Sequence, residues 1–186
     1  MMVSTRFTLI AALLLLAACR SDPIHFHTLT PMQVGSTTPG NGAQILIEGI
    51  SVPPQVDRAQ IVIRQGNSGL AILETEWWGA SLADELRSAL ADQLANARPQ
   101  HNVSLRVDVQ RFDSIPGQYG LIDVTWRLRT LGDSSAPTLS CRSLLQTPSG
   151  AAIDDLVIAQ QHNVQRLSAL IAQAAGGTQT GCPSSR

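Results

Sequence analysis

The chain has 186 residues, 13 basic and 14 acidic side chains, a formal net charge of −1 and 44% hydrophobic residues. This balance carries none of the concentrated basic charge that marks a nucleic-acid-binding surface. Every basic side chain is arginine, which brings planar, multi-donor hydrogen bonding wherever charge is used.

Residues 1–18 read as a secretory signal: Arg6, then an apolar run from Leu9 to Leu16, then small residues. The segment ends in Leu16-Ala17-Ala18-Cys19, the layout of a bacterial lipobox, in which Cys19 receives lipid and becomes the mature N-terminus. Each buried lipid CH₂ contributes about 0.8 kcal/mol, so several acyl chains make a stable anchor. Arg20 follows where retention in the inner membrane is usually signalled by Asp, which favours the periplasmic face of the outer membrane. Cleavage leaves 186 − 18 = 168 residues, one domain in size.

His25 to Leu29 form a first short strand, with His25 and His27 on one face. The spacing of the chain's histidines matches no metal motif, so these two are expected on a polar strand face. Pro31 to Gly42 is a loop by composition. Ile45-Leu46-Ile47 predicts a strand buried on both faces. After a turn through Val52 to Arg58, the segments around Ile61–Arg64 and Leu70–Leu73 flank "QGNSG" and predict a hairpin. Leu82, Leu86, Leu90 and Leu94 then repeat every four residues, which predicts a helix with Glu85 mostly off the apolar stripe. Ser81 and Asp84 form its start signal and Pro99 its stop.

Val103–Gln110 and Leu121–Leu131 alternate strictly, predicting two long antiparallel strands with one wet face carrying Arg106, Asp108, Asp123, Arg127 and Arg129. Thr138–Gln146 adds a strand holding Cys141. Asp154 and Asp155 open a last helix, striped by Ile153, Val157, Val164, Leu167, Ile171 and Ala174 and closed by Gly176-Gly177. Besides the lipid-bearing Cys19, two cysteines remain, Cys141 and Cys182, and in an oxidising compartment they are expected to form a disulfide.

The order β-β-β-β-α-β-β-β-α predicts an α+β fold: a mainly antiparallel sheet with two helices packed on one face, in a single domain. The chain divides into the signal 1–18, a lipidated N-terminus with first strand and loop 19–42, the α+β domain 43–177, and a polar tail 178–186. The sequence contains no phosphate loop, zinc spacing or nucleophile elbow. Asp154 and Asp155 point about 100° apart on a helix and cannot share a substrate oxygen. No enzymatic activity, metal or cofactor is expected.

Three stretches together resemble a known family. They are the lipobox Leu16–Cys19, "ILIEGISVPPQVDRAQIVIR" (Ile45–Arg64) and "WGASLADELRSALADQL" (Trp78–Leu94), followed by strands and a final helix in matching order. The combination resembles the PqiC-type auxiliary lipoproteins of ABC-type intermembrane transport. It departs from their pattern at the helix start, where Ser81 stands near a position often held by Pro. The resemblance implies an outer-membrane lipoprotein that accompanies an MCE-domain lipid conduit, and through it an inner-membrane transporter. It also implies a ring-like homo-oligomer and no catalytic residue to carry over. An assembly lipoprotein of another outer-membrane or secretion complex is the alternative.

Candidate contact residues are Arg106, Arg127 and Arg129 on the wet face, and Trp77. Trp78 lies four residues before Leu82, in line with the apolar stripe, and is expected in the core. Its neighbour Trp77 then points elsewhere and is at least partly exposed, a position suited to an oligomer or partner contact.

Overall fold

The computed structural model describes residues 22–32, 43–133, 135–177 and 181–184. The segment 1–18 expected to be a signal, the expected lipidation site Cys19 and most of the loop 31–42 lie outside them. The elements are β1 (His25–His27), β2 (Ile45–Ser51), β3 (Gln60–Gln65), β4 (Gly69–Trp78), α1 (Leu82–Leu94), β5 (Val103–Ile115), β6 (Tyr119–Thr130), β7 (Leu139–Pro148) and α2 (Ile153–Gly176).

The order is the one expected, and the fold is α+β. The strands, however, form two mixed sheets: β1-β4-β3 and β2-β5-β6-β7. β3–β4, β5–β6 and β6–β7 are antiparallel, whereas β1–β4 and β2–β5 are parallel. Alternation within a strand fixes its two faces but carries no information about the direction of a partner fifty residues away. Hairpins are legible because the turn enforces antiparallel pairing; long crossovers are not.

Both helices cover one face of the larger sheet, α1 over β2 and α2 over β6 and β7, and they also pack on each other. Leu82, Leu86 and Leu90 of α1 and Val164, Leu167 and Ile171 of α2 meet Leu105, Val107, Val124 and Trp126 in one buried core. Ser81 caps α1: its hydroxyl accepts the Asp84 N–H at 3.3 Å and donates to the Asp84 carboxylate at 2.8 Å. The helix ends at Leu94, short of the stop expected at Pro99.

α2 approaches β6 closely because residue 120 is glycine. A Cβ there would stand 2.9 Å from the Gln160 side chain. At this approach Gln160 Nε2 donates to the Asp113 carbonyl and Asn163 Nδ2 to the Gly120 carbonyl, each at 2.9 Å. Two buried amides thus satisfy backbone oxygens beside the β5–β6 turn, where Gly117 adopts φ +75°.

Two local expectations are corrected. β2 is not buried on both faces: it is a sheet edge, and Leu46 is 58% exposed because no layer covers its outer side. The outer face of β5–β6 is not uniformly wet, since Asp113 and Asp123 are buried there. Arg142 forks onto Asp123 at 2.8 and 2.6 Å. Arg64 reaches Asp113 at 2.9 Å and Arg111 also binds it. Long guanidinium side chains cover these carboxylates, an arrangement that a two-residue alternation cannot reveal. The disulfide Cys141–Cys182 is formed, with Cα atoms 5.6 Å apart, and joins the tail to β7.

Candidate functional site

The tryptophan pair marks the first of two sites. β4 pairs with β3 over its first half, then its register slips between Val62↔Ile72 and Gln60↔Trp77. Beyond the slip its end runs parallel to β1, pairing Phe26 with Trp77 and His27 with Trp78. The two tryptophans are therefore extended and face opposite ways. Trp78 enters the core, 3% exposed, edge-on to Phe112 at 6.4 Å. Trp77 is half-buried, edge-on to Phe26 at 6.3 Å, and its indole N–H donates to the Glu74 carbonyl at 2.9 Å.

Around this edge the body grips the N-terminal segment from three elements. From β4, Glu76 receives His25 Nδ1 at 3.0 Å and His27 Nε2 at 2.6 Å. From α1, Glu85 accepts the Thr28 hydroxyl and the Leu29 N–H, each at 2.8 Å. From α2, Gln161 Nε2 donates to the Thr28 carbonyl at 2.9 Å, and Asp154 lies 3.4 Å from His27 Nδ1. Leu29 is fully buried beneath these contacts. The hydrogen bond from His27, reinforced by His25, holds the Glu76 carboxyl below the ordinary Glu range.

The histidine pair thus faces carboxylates. Among the described residues no group of three or more His, Cys, Asp or Glu could hold a metal ion. Glu85 was not recognisable as a clamp from its charge alone. It was expected mostly off the apolar stripe, but three residues after Leu82 and four before Ala89 it lies on the stripe's edge and is buried; a carboxylate at such a position is the usable signal.

The second site is the outer face of the larger sheet. Arg127 pairs with Asp108 at 2.7 Å and Arg129 with Glu48 at 2.8 Å. Asp108 is held below the usual carboxylate range by the Ser51 hydroxyl first and by Arg127 next; Glu48 is lowered chiefly by its hydrogen bond from Arg129. Arg106 stands between, close enough to lower both carboxyls, and makes no ion pair among the described residues. The three arginines expected to act together do share one face, but two of them are already neutralised within it. Trp77 belongs to the other sheet and does not join them.

Both sites belong to a small α+β domain whose N-terminal strand is clamped into the body. The chain belongs to the family of ABC-type transport auxiliary lipoprotein components, whose pattern matches residues 27–172. This is a transport-accessory family and not a family of enzymes.

Two crystal structures share the fold. One, of a protein described as uncharacterized, superposes with a TM-score of 0.65 at 18% identity, covering 82% of this chain and 99% of that one. The other, from Xanthomonas campestris, gives a TM-score of 0.60 at 17% identity, covering 83% and 95%. No curated protein matches the chain significantly.

Proposed function

We propose that this lipoprotein is lipidated at Cys19, stands on the periplasmic face of the outer membrane and docks or organises the far end of an MCE-type intermembrane lipid conduit. The observation that carries the reading is the match to the transport auxiliary family over residues 27–172, behind a leader that ends in Leu16-Ala17-Ala18-Cys19. Arg20 supports outer-membrane sorting. Among the described residues no helix is long and apolar enough to cross a membrane, so attachment through Cys19 fits the chain.

In this reading the protein works as an oligomeric ring and performs no chemistry. The outer sheet face supplies the contact with the conduit. Arg106, the cation not engaged in an ion pair there, is the leading contact residue, with Arg127 and Arg129 beside it.

A photo-cross-linking residue at position 106 in living cells, followed by mass spectrometry, tests the reading. Capture of an MCE-domain protein is expected, together with homo-oligomers after mild detergent extraction. Capture of a β-barrel or a secretin instead, or a strictly monomeric extract with no conduit partner, overturns it.

A further inference from the structure

Phe26 is 66% exposed and Ile24 45% exposed, and both lie at the sheet edge formed by β1. Trp77 stands against Phe26. Isolated exposed apolar residues are ordinary, but a Phe–Trp pair continuous with an exposed Ile is a patch. Its place in the chain is what singles it out. Only Arg20 and Ser21 separate the lipid-bearing Cys19 from the described residues, which begin at Asp22. Three residue steps span at most about 11 Å, and the seven steps to Phe26 at most about 25 Å.

The clamp on β1 by Glu76, Glu85 and Gln161 prevents this leash from lengthening, since residues 25–29 are fixed to the body. An anchored chain therefore keeps the Phe26–Trp77 edge within about 25 Å of the bilayer surface, close enough to touch it. The chemistry of the patch suits that surface. The Trp77 indole N–H is already satisfied by the Glu74 carbonyl, so the ring can enter an apolar layer without carrying an unpaired donor with it. Aromatic rings are favoured at the membrane–water interface. The exposed Glu74, whose carbonyl holds the Trp77 indole, disfavours a strongly anionic surface and favours a zwitterionic one.

We infer that Phe26, Trp77 and Ile24 form a membrane-contact edge that seats the domain directly on a zwitterionic phospholipid surface, as a second attachment beside the lipid on Cys19. A domain seated in this way has a fixed orientation, and the opposite end of the molecule is directed into the periplasm. The inference rests on lipidation at Cys19.

The test reconstitutes the mature lipidated protein into phosphatidylethanolamine–phosphatidylcholine vesicles, with and without bromine on the acyl chains, and reads tryptophan emission. Trp78 and Trp126 are 3% and 1% exposed and are shielded from contact quenching, so the signal reports Trp77. Bromination is expected to remove up to the one-in-three share that Trp77 holds among the three tryptophans. Trp77→Phe should abolish the loss while preserving thermal stability, and Phe26→Ser should reduce it. Lipidated protein that shows no quenching, or quenching unchanged in Trp77→Phe, overturns the inference. So does cross-linking of position 26 to a second copy in place of lipid. A mature chain without lipid mass brings down the anchoring reading itself, which the mass spectrum reports separately.

Discussion

Replacing Glu85 by Ala removes the acceptor shared by Thr28 and Leu29. The Leu29 N–H donates at 2.8 Å and the residue is fully buried, so the lost oxygen leaves this amide without its protein acceptor. A hydrogen bond to a charged group contributes about 1.5–3 kcal/mol. The loss is expected to remain local, because β1 is three residues long and pairs only with β4. At about 1.4 kcal/mol per factor of ten, the Leu29 amide should exchange with deuterium roughly ten- to a hundredfold faster.

Hydrogen exchange resolved to the Phe26–Thr30 peptide measures this directly, with peptides from β5 and β6 as the internal reference. Glu85→Gln, which retains one oxygen, should give a smaller effect. The functional consequence follows from chain length: releasing the strand as far as Leu29 extends the reach from Cys19 from about 22 Å, the limit at His25, to about 36 Å. An unchanged exchange rate at Leu29 in Glu85→Ala, or an acceleration spread evenly over β5 and β6, would refute the picture of a local clamp.

Three further outcomes are expected. Trp78→Ala should cost about 3–5 kcal/mol in denaturant unfolding, since it empties a buried site against Phe112. Trp77→Ala should cost no more than about 1.5 kcal/mol, the scale of its edge-on contact with Phe26; equal losses in the two variants contradict the assignment of faces. Reducing the Cys141–Cys182 disulfide, which spans 41 residues of sequence, should lower stability by about 2–4 kcal/mol, and an unchanged unfolding midpoint after confirmed reduction argues against a stabilising staple.

Acid should destabilise the fold. The bidentate Arg142 contact holds the Asp123 carboxyl below its ordinary value, and His27 does the same to Glu76. A carboxyl depressed in the folded state contributes stability that is fully present above its unfolded pKa and is lost as the pH falls through the folded value. Melting temperature should hold near neutrality and fall on the acidic side of the usual carboxylate range. Asp123→Asn should show a shallower acid slope, and a slope equal to that of the parent protein removes Asp123 from the account.

Much of the architecture was legible because it is written in local periods. The four-residue leucine repeat placed α1, the strict alternations placed β5 and β6, and "QGNSG" placed the β3–β4 hairpin. That Trp77 and Trp78 point different ways also followed from adjacency; that they face opposite ways depended on β4 extending to Trp78. The clamp was less legible, because its parts are single polar residues drawn from distant segments. His27, Glu76, Glu85 and Gln161 share no motif, and Glu85 looked like a surface charge until α1 was laid against residues 28–29.

The outer face shows the same limit. Alternation correctly assigned Arg106, Arg127 and Arg129 to one side of the sheet, but it could not tell which of them had partners. That depended on β2 bringing Glu48 to Arg129 and on β5 and β6 setting Asp108 beside Arg127.

The sequence by itself carried the lipobox pattern and determined the order of elements, most core-facing residues and the resemblance to a transport auxiliary family, because each is a local pattern or a linear motif. Tertiary structure alone decided the division into two mixed sheets, the burial of Asp113, Asp123 and Glu85, and the juxtaposition of Phe26 with Trp77. The physical reason is that side-chain period depends on the backbone of one segment. Strand direction, ion pairing and exposed patches depend on which segments meet, and that is settled by packing between residues far apart in the chain.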